Sequence, residues 1–142
     1  MERFALVFSR YLLRIAVDEI VYVKADANYS DLVLINGVKY KIPSQLTYFE
    51  INLRTMKHAH WFIRVGRSLI VNYQHIQIIN LNNRTITFGG KHLVNKPRTT
   101  NPHALLQENG IIDGDLYTVT ASFEALSLLK EKVESILETE RT

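Results

Sequence analysis

Phe62-Ile63-Arg64-Val65-Gly66-Arg67-Ser68-Leu69-Ile70-Val71-Asn72 is the stretch on which the reading of this chain turns. An apolar run breaks at Gly66-Arg67-Ser68 and resumes as Leu69-Ile70-Val71. The break sets an arginine and a hydroxyl at a kink between two strand-like runs. A planar, permanently charged guanidinium on a rigid scaffold suits reading guanine edges or gripping phosphates. Taken alone, the pattern fits a solvated loop arginine better than a contact residue. The order of the elements around it shifts that balance.

Working outward, most of the chain reads as strands. Phe4 to Phe8, Tyr11 to Val17 and Ile20 to Val23 are apolar and rich in β-branched or aromatic residues. Asp31 to Ile35 leads into Asn36-Gly37, and Val38 to Ile42 follows. Asn-Gly between two such runs predicts a hairpin, because a tight turn needs residues that tolerate positive φ. Ile76 to Leu81, Asn82-Asn83 and Arg84 to Phe88 predict a second one.

Two helices are expected, with a short third. Ser44 is placed to cap the first, which carries Leu46, Phe49 and Leu53 at helical spacing. The second begins near Ser122. Its expected stripe is Phe123, Leu126, Lys130, Val133 and Leu137, widened by Leu129 and Ile136, with Lys130 as the polar exception. Between Gly89 and Gly114, Asn101-Pro102 to Gly110 reads as the short helix. A strand at Lys91 to Asn95 is the other element expected there.

The chain has 142 residues, enough for one domain that buries its own core. It has no cysteine, which excludes disulfides, thiolate metal sites and cysteine nucleophiles. No apolar run approaches the roughly 18 residues of a membrane span, and the start lacks a signal-peptide core. A cytoplasmic protein is the expectation. The net charge of +3 is unevenly spread. Through Ile112 there are 14 Lys/Arg against 7 Asp/Glu, giving +7; from Asp113 there are 3 against 7, giving −4. A basic body with an acidic tail suits a polyanionic partner for the body.

Glu19-Ile20-Val21-Tyr22-Val23, then Asn28-Tyr29, then Leu46, then Phe-Ile-Arg-Val, Arg-Ser and Val-Asn within 62–72, then Ile76, form an ordered series. That series resembles the LytTR family, the DNA-binding output domain of many bacterial response regulators. The resemblance covers roughly Phe4 to Gly90 and resumes near Asp115, where Tyr117-Thr118-Val119-Thr120 is similar to the family's final strand. It implies one domain over 1–142, mainly β with two or three helices: an elongated antiparallel fold with one inserted helix and a C-terminal helix. It begins almost at Met1, so no phosphoacceptor receiver domain is expected within the chain.

The resemblance further implies sequence-specific duplex DNA binding by a transcriptional regulator, through loops rather than a recognition helix. The first loop would supply Lys24, Asn28, Tyr29 and Ser30, the second Arg67 and Ser68, and the third, at 120–122, Ser122. No cofactor is implied. Three departures stand out. Gly66 takes a position usually held by His; Ala121 and Ser122 lack the usual Arg; and an atypical insertion spans about 89–114. Lys91, Lys96 and Arg98 in that insertion are candidates for phosphate contacts, with solvated cations as the equal alternative. A rival reading is a degenerate module that binds a protein partner through the insertion or the end helix. A second copy on adjacent DNA repeats is a further candidate partner.

Other constellations carry less. His58 and His60 are two apart, the remaining histidines are scattered, and there is no HExxH or paired-carboxylate pattern. Neither an enzyme nor a metal site is expected. Trp61 reads as core packing, and Asn72 as a structural amide that satisfies backbone at a strand end.

Overall fold

The computed structural model describes residues 2–8, 10–89 and 117–141. The strand expected at Lys91 to Asn95, the short helix after Asn101 and the cations Lys91, Lys96 and Arg98 lie outside these residues. The described chain forms three antiparallel sheets and two α-helices. Strands β1 (Arg3–Phe8) and β2 (Tyr11–Ala16) make a hairpin. Strands β3 (Ile20–Asp26), β4 (Tyr29–Leu34), β5 (Lys39–Ile42), β6 (Phe62–Val65) and β7 (Leu69–Asn72) form a central sheet in the order β5-β4-β3-β7-β6. Strands β8 (Ile76–Asn80), β9 (Thr85–Phe88) and β10 (Thr118–Thr120) form the third sheet, in the order β10-β9-β8. Helix α1 (Leu46–Leu53) is inserted between β5 and β6, and α2 (Phe123–Arg141) follows β10. The mainly β fold with one inserted and one terminal helix is the expected one.

The central sheet is covered on both faces, which explains its unbroken apolar runs. One face packs on the β1–β2 hairpin and α1, through Phe4, Leu6, Ile15, Leu32, Phe49, Leu53 and Ile70. The other packs on the third sheet and α2, through Val33, Val71, Ile86, Phe88, Leu126 and Leu129. Val21 and Tyr22 both face this second core although they are consecutive. A register shift between Ile20 and Tyr22 permits that, since a bulge lets two successive residues oppose one.

Both expected hairpins form, β4–β5 across Asn36-Gly37 and β8–β9 across Asn82-Asn83. Gly37 takes φ +89, and Asn36 Oδ1 accepts from Val38 N at 3.0 Å. Three local expectations are corrected. The break at 66–68 is a reversal rather than a kink, with Val65 opposite Leu69 in a tight hairpin. The cap of α1 is Gln45, not Ser44, and it makes no side-chain cap bond. The buried stripe of α2 runs Leu126, Leu129, Val133, Ile136, while Phe123 and Leu137 are exposed. Lys130 therefore stands outside the stripe and pairs with Glu134 at 2.7 Å.

Candidate nucleic-acid interface

The strand register decides which turns share an end of the central sheet. Lys24 of β3 lies opposite Leu69 of β7, and Asp26 lies opposite Tyr29 of β4. The β3–β4 turn at 27–28 and the β6–β7 turn at 66–68 therefore project from the same end. A bond from Ala25 N to Ser68 O at 2.8 Å ties them together. The third loop joins them through α2. A Cβ placed on Gly66 would lie 3.6 Å from the Ala125 Cβ, one residue into the first turn past Glu124. The β8–β9 turn arrives as well, with Ala121 N donating to Arg84 O at 3.2 Å. Four turns thus converge around the N-terminus of α2.

The residues proposed from sequence for the first loop fare differently. Lys24 and Asn28 are exposed, and Tyr29 is 44% exposed. Ala27, not Asn28, takes the positive φ of the turn (+58), so the turn conformation does not call for asparagine at 28. Ser30 does not reach the surface. It is fully buried, and its hydroxyl donates to Ser44 O at 2.7 Å, pinning β4 to the segment before α1. Lys41, from β5, bonds Asp26 and, at 3.1 Å, Asp31. Its ammonium also sits 5.8 Å from the Tyr29 ring centroid. The hydrogen bond from Lys41 holds the Asp26 carboxyl below the usual carboxylate range.

Arg67 and Ser68 are exposed in the second turn, whose first residue, Gly66, has φ +63. Glycine meets that conformation without the Cβ penalty. Ser122 is exposed, and its hydroxyl accepts from Ala125 N at 3.1 Å as the cap of α2. Lys91 lies outside the described residues. The described ends of that segment are informative, however. Gly89 N donates to His75 O, and Thr118 pairs with Thr87, so the anchors sit at the end of the third sheet opposite Arg84 and Ala121.

Two residues escape sequence reasoning. Arg84 is exposed beside the third loop, with φ +58. Arg64 lies beneath the second turn, and its guanidinium bonds Glu50 Oε1 at 2.9 Å, Gly66 O at 3.1 Å and Arg67 O at 2.9 Å. Among the described residues, the side chains of Lys24, Arg67 and Arg84 make no hydrogen bond or ion pair. Nor do the described residues hold any group of three or more metal-ligating side chains. His58 instead bonds Glu2 at 3.0 Å and packs on Trp61.

Four turns of a two-faced β scaffold and one helix N-terminus are thus gathered at a single end, while the Asn36-Gly37 turn lies at the other. The family model of the LytTr DNA-binding domain matches residues 10–100, and the chain belongs to that family. Among solved structures, it is similar to a LytTr DNA-binding domain from Bacillus cereus, at 18% identity and a TM-score of 0.53. That similarity covers 92% of this chain and 95% of the other. No curated protein matches. No helix among the described residues is long and apolar enough to cross a membrane.

Proposed function

We propose that this chain binds duplex DNA sequence-specifically through the turns at one end of its central sheet, as part of a bacterial transcription regulator. The observation that carries the reading is the convergence of four turns with three uncommitted cations, Lys24, Arg67 and Arg84, beside a helix N-terminus. Turn tips enter a groove that a flat sheet cannot, and the sheet fixes their spacing. Arg67 reads a base edge or grips a phosphate. Asn28 and Tyr29 form the second contact group, since Asn pairs bidentately with adenine and Tyr reaches phosphate or a thymine methyl. Ser68 and Ser122 contribute hydroxyls, and the positive end of α2 favours a phosphate nearby. Arg84 takes the place of the arginine that Ala121 and Ser122 lack.

The test is selection of bound duplexes from a random pool, followed by titration of the enriched duplex across salt. Phosphate contacts make log K fall linearly with log salt, at about 0.9 per phosphate neutralised. A steep slope with an enriched sequence supports the reading. Absence of salt-dependent binding would leave the rival, a module of the same fold that docks a protein.

A further inference from the structure

Arg64 occupies β6 between Ile63 and Val65, which pack into the core shared with α2. Its own side chain turns to the α1 face, where it meets Glu50 at 2.9 Å. The rest of the fork closes on the second turn, bonding the carbonyls of its first two residues, Gly66 and Arg67. A three-residue turn that opens with a positive-φ glycine has little stiffness of its own. A guanidinium supplies it, because its donors are fixed in one plane. The carbonyl of Ser68 is taken by Ala25 N, so all three carbonyls of the turn are held by named donors. Arg67 then hangs from a backbone whose direction Arg64 and α1 determine.

We infer that Arg64 and Glu50 form a positioning pair that fixes the Gly66–Ser68 turn, and so sets how tightly and how selectively Arg67 engages DNA. This rests on the duplex-binding reading. Arg64 acts through the turn, not as a contact of its own.

The experiment measures Kd for the duplex that the wild-type chain enriches from a random pool. The variants are Arg64→Gln, Arg64→Lys, Glu50→Gln, Arg67→Ala and the Arg64→Gln/Arg67→Ala double, each checked for wild-type circular dichroism. Arg64→Gln is expected to weaken binding about tenfold in the wild-type background and less than about twofold in the Arg67→Ala background, since positions that act as a unit are not additive. Lys at 64 is expected to give no rescue, because it keeps the charge but not the fork. Glu50→Gln supplies a test of sign. Removing a negative charge near DNA raises affinity by electrostatics alone. Loss of positioning lowers it, by about threefold. Additive losses at 64 and 67, full rescue by Lys, or tighter binding by Glu50→Gln would each overturn the inference while leaving DNA binding intact. A wild-type chain that binds no duplex overturns the DNA reading and takes this inference with it.

Discussion

Where β3 begins, polar side chains of the central sheet bond inward. Asn72 is fully buried, its amide donating to Ile20 O at 2.9 Å and its carbonyl oxygen accepting from Gln74 N at 3.0 Å. His75 contacts Asp18 O at 2.6 Å, and Tyr73 Oη donates to Glu140 at the far end of α2 at 2.6 Å. Where β3 ends, Lys24, Asn28, Tyr29 and Arg67 are exposed; Arg64 bonds the backbone of the second turn, and Lys41 bonds Asp26 and Asp31 beside the first. The same sheet is thus closed at one end and open at the other. The closed end secures α2, which spans roughly 28 Å at 1.5 Å per residue, and so fixes the position of its N-terminus at the open end.

Separate consequences follow for stability and for binding. Asn72→Ala should act on the closed end alone. It orphans the buried Ile20 O and removes the acceptor of Gln74 N, at a cost of roughly 1–3 kcal/mol of stability, seen as a lower chemical-denaturation midpoint. The folded fraction should keep its duplex affinity, and a large loss of affinity per folded molecule would blur the division between the two ends. Arg67→Ala is the converse. Duplex affinity should fall at least about tenfold, or roughly 1.4 kcal/mol, with an unchanged unfolding midpoint. Unchanged affinity would remove the core of the DNA reading. If the loss shrinks on duplexes altered at one base pair, Arg67 reads that base; a uniform loss marks a phosphate contact.

Arg84→Ala should have a smaller effect. As a phosphate contact it carries little sequence information, so affinity should drop about fivefold and the salt slope by about 0.9, with site preference retained. An unmoved slope would return the open end to three turns instead of four. The cations of the insertion, Lys91, Lys96 and Arg98, carry a competing expectation of up to about three units of slope on joint neutralisation. The anchors at Gly89 and Tyr117 do not favour it, because they lie by the closed end.

How much of this was legible beforehand follows from the range of each interaction. Hairpins declared themselves through Asn36-Gly37 and Asn82-Asn83, since turn chemistry is local. The residues of the α1 core face were legible from spacing alone. The phase of α2 was not, because Phe123 and Leu137 are apolar yet exposed, and only docking on Tyr73 and the third sheet selects the Leu126–Ile136 stripe. The place of Arg67 in an exposed turn was legible from its position between two apolar runs. Ser30 was misleading, since a loop serine and a buried serine look alike until Ser44 supplies a partner. Arg64 and Arg84 were invisible. One depends on Glu50, 14 residues away, and the other on Ala121, brought in by pairing of β9 with β10.

The smallest expected effect lies at the first turn, where the open end is partly neutralised. Asp26 is exposed and holds Lys41, which Asp31 also holds, so two carboxylates offset one cation beside Asn28 and Tyr29. Asp26→Asn removes a negative charge from the tip and leaves Lys41 paired with Asp31. Duplex affinity should rise about threefold at low salt, and the gain should fade as salt is raised, because exposed charges are screened. Stability should move the other way. A carboxyl whose folded pKa is lowered contributes stability above its unfolded value, and loses it as pH falls through the folded value. The small stability deficit of Asp26→Asn relative to wild type should therefore be present at neutral pH and vanish in acid, where the wild-type carboxyl is protonated as well. Opposite signs for affinity and stability would establish that Lys41 serves the hairpin while the tip faces a polyanion. A fall in affinity confined to duplexes with one particular cytosine would give Asp26 a different role, as an acceptor for the cytosine amine, and would make the first turn a reader of bases in its own right.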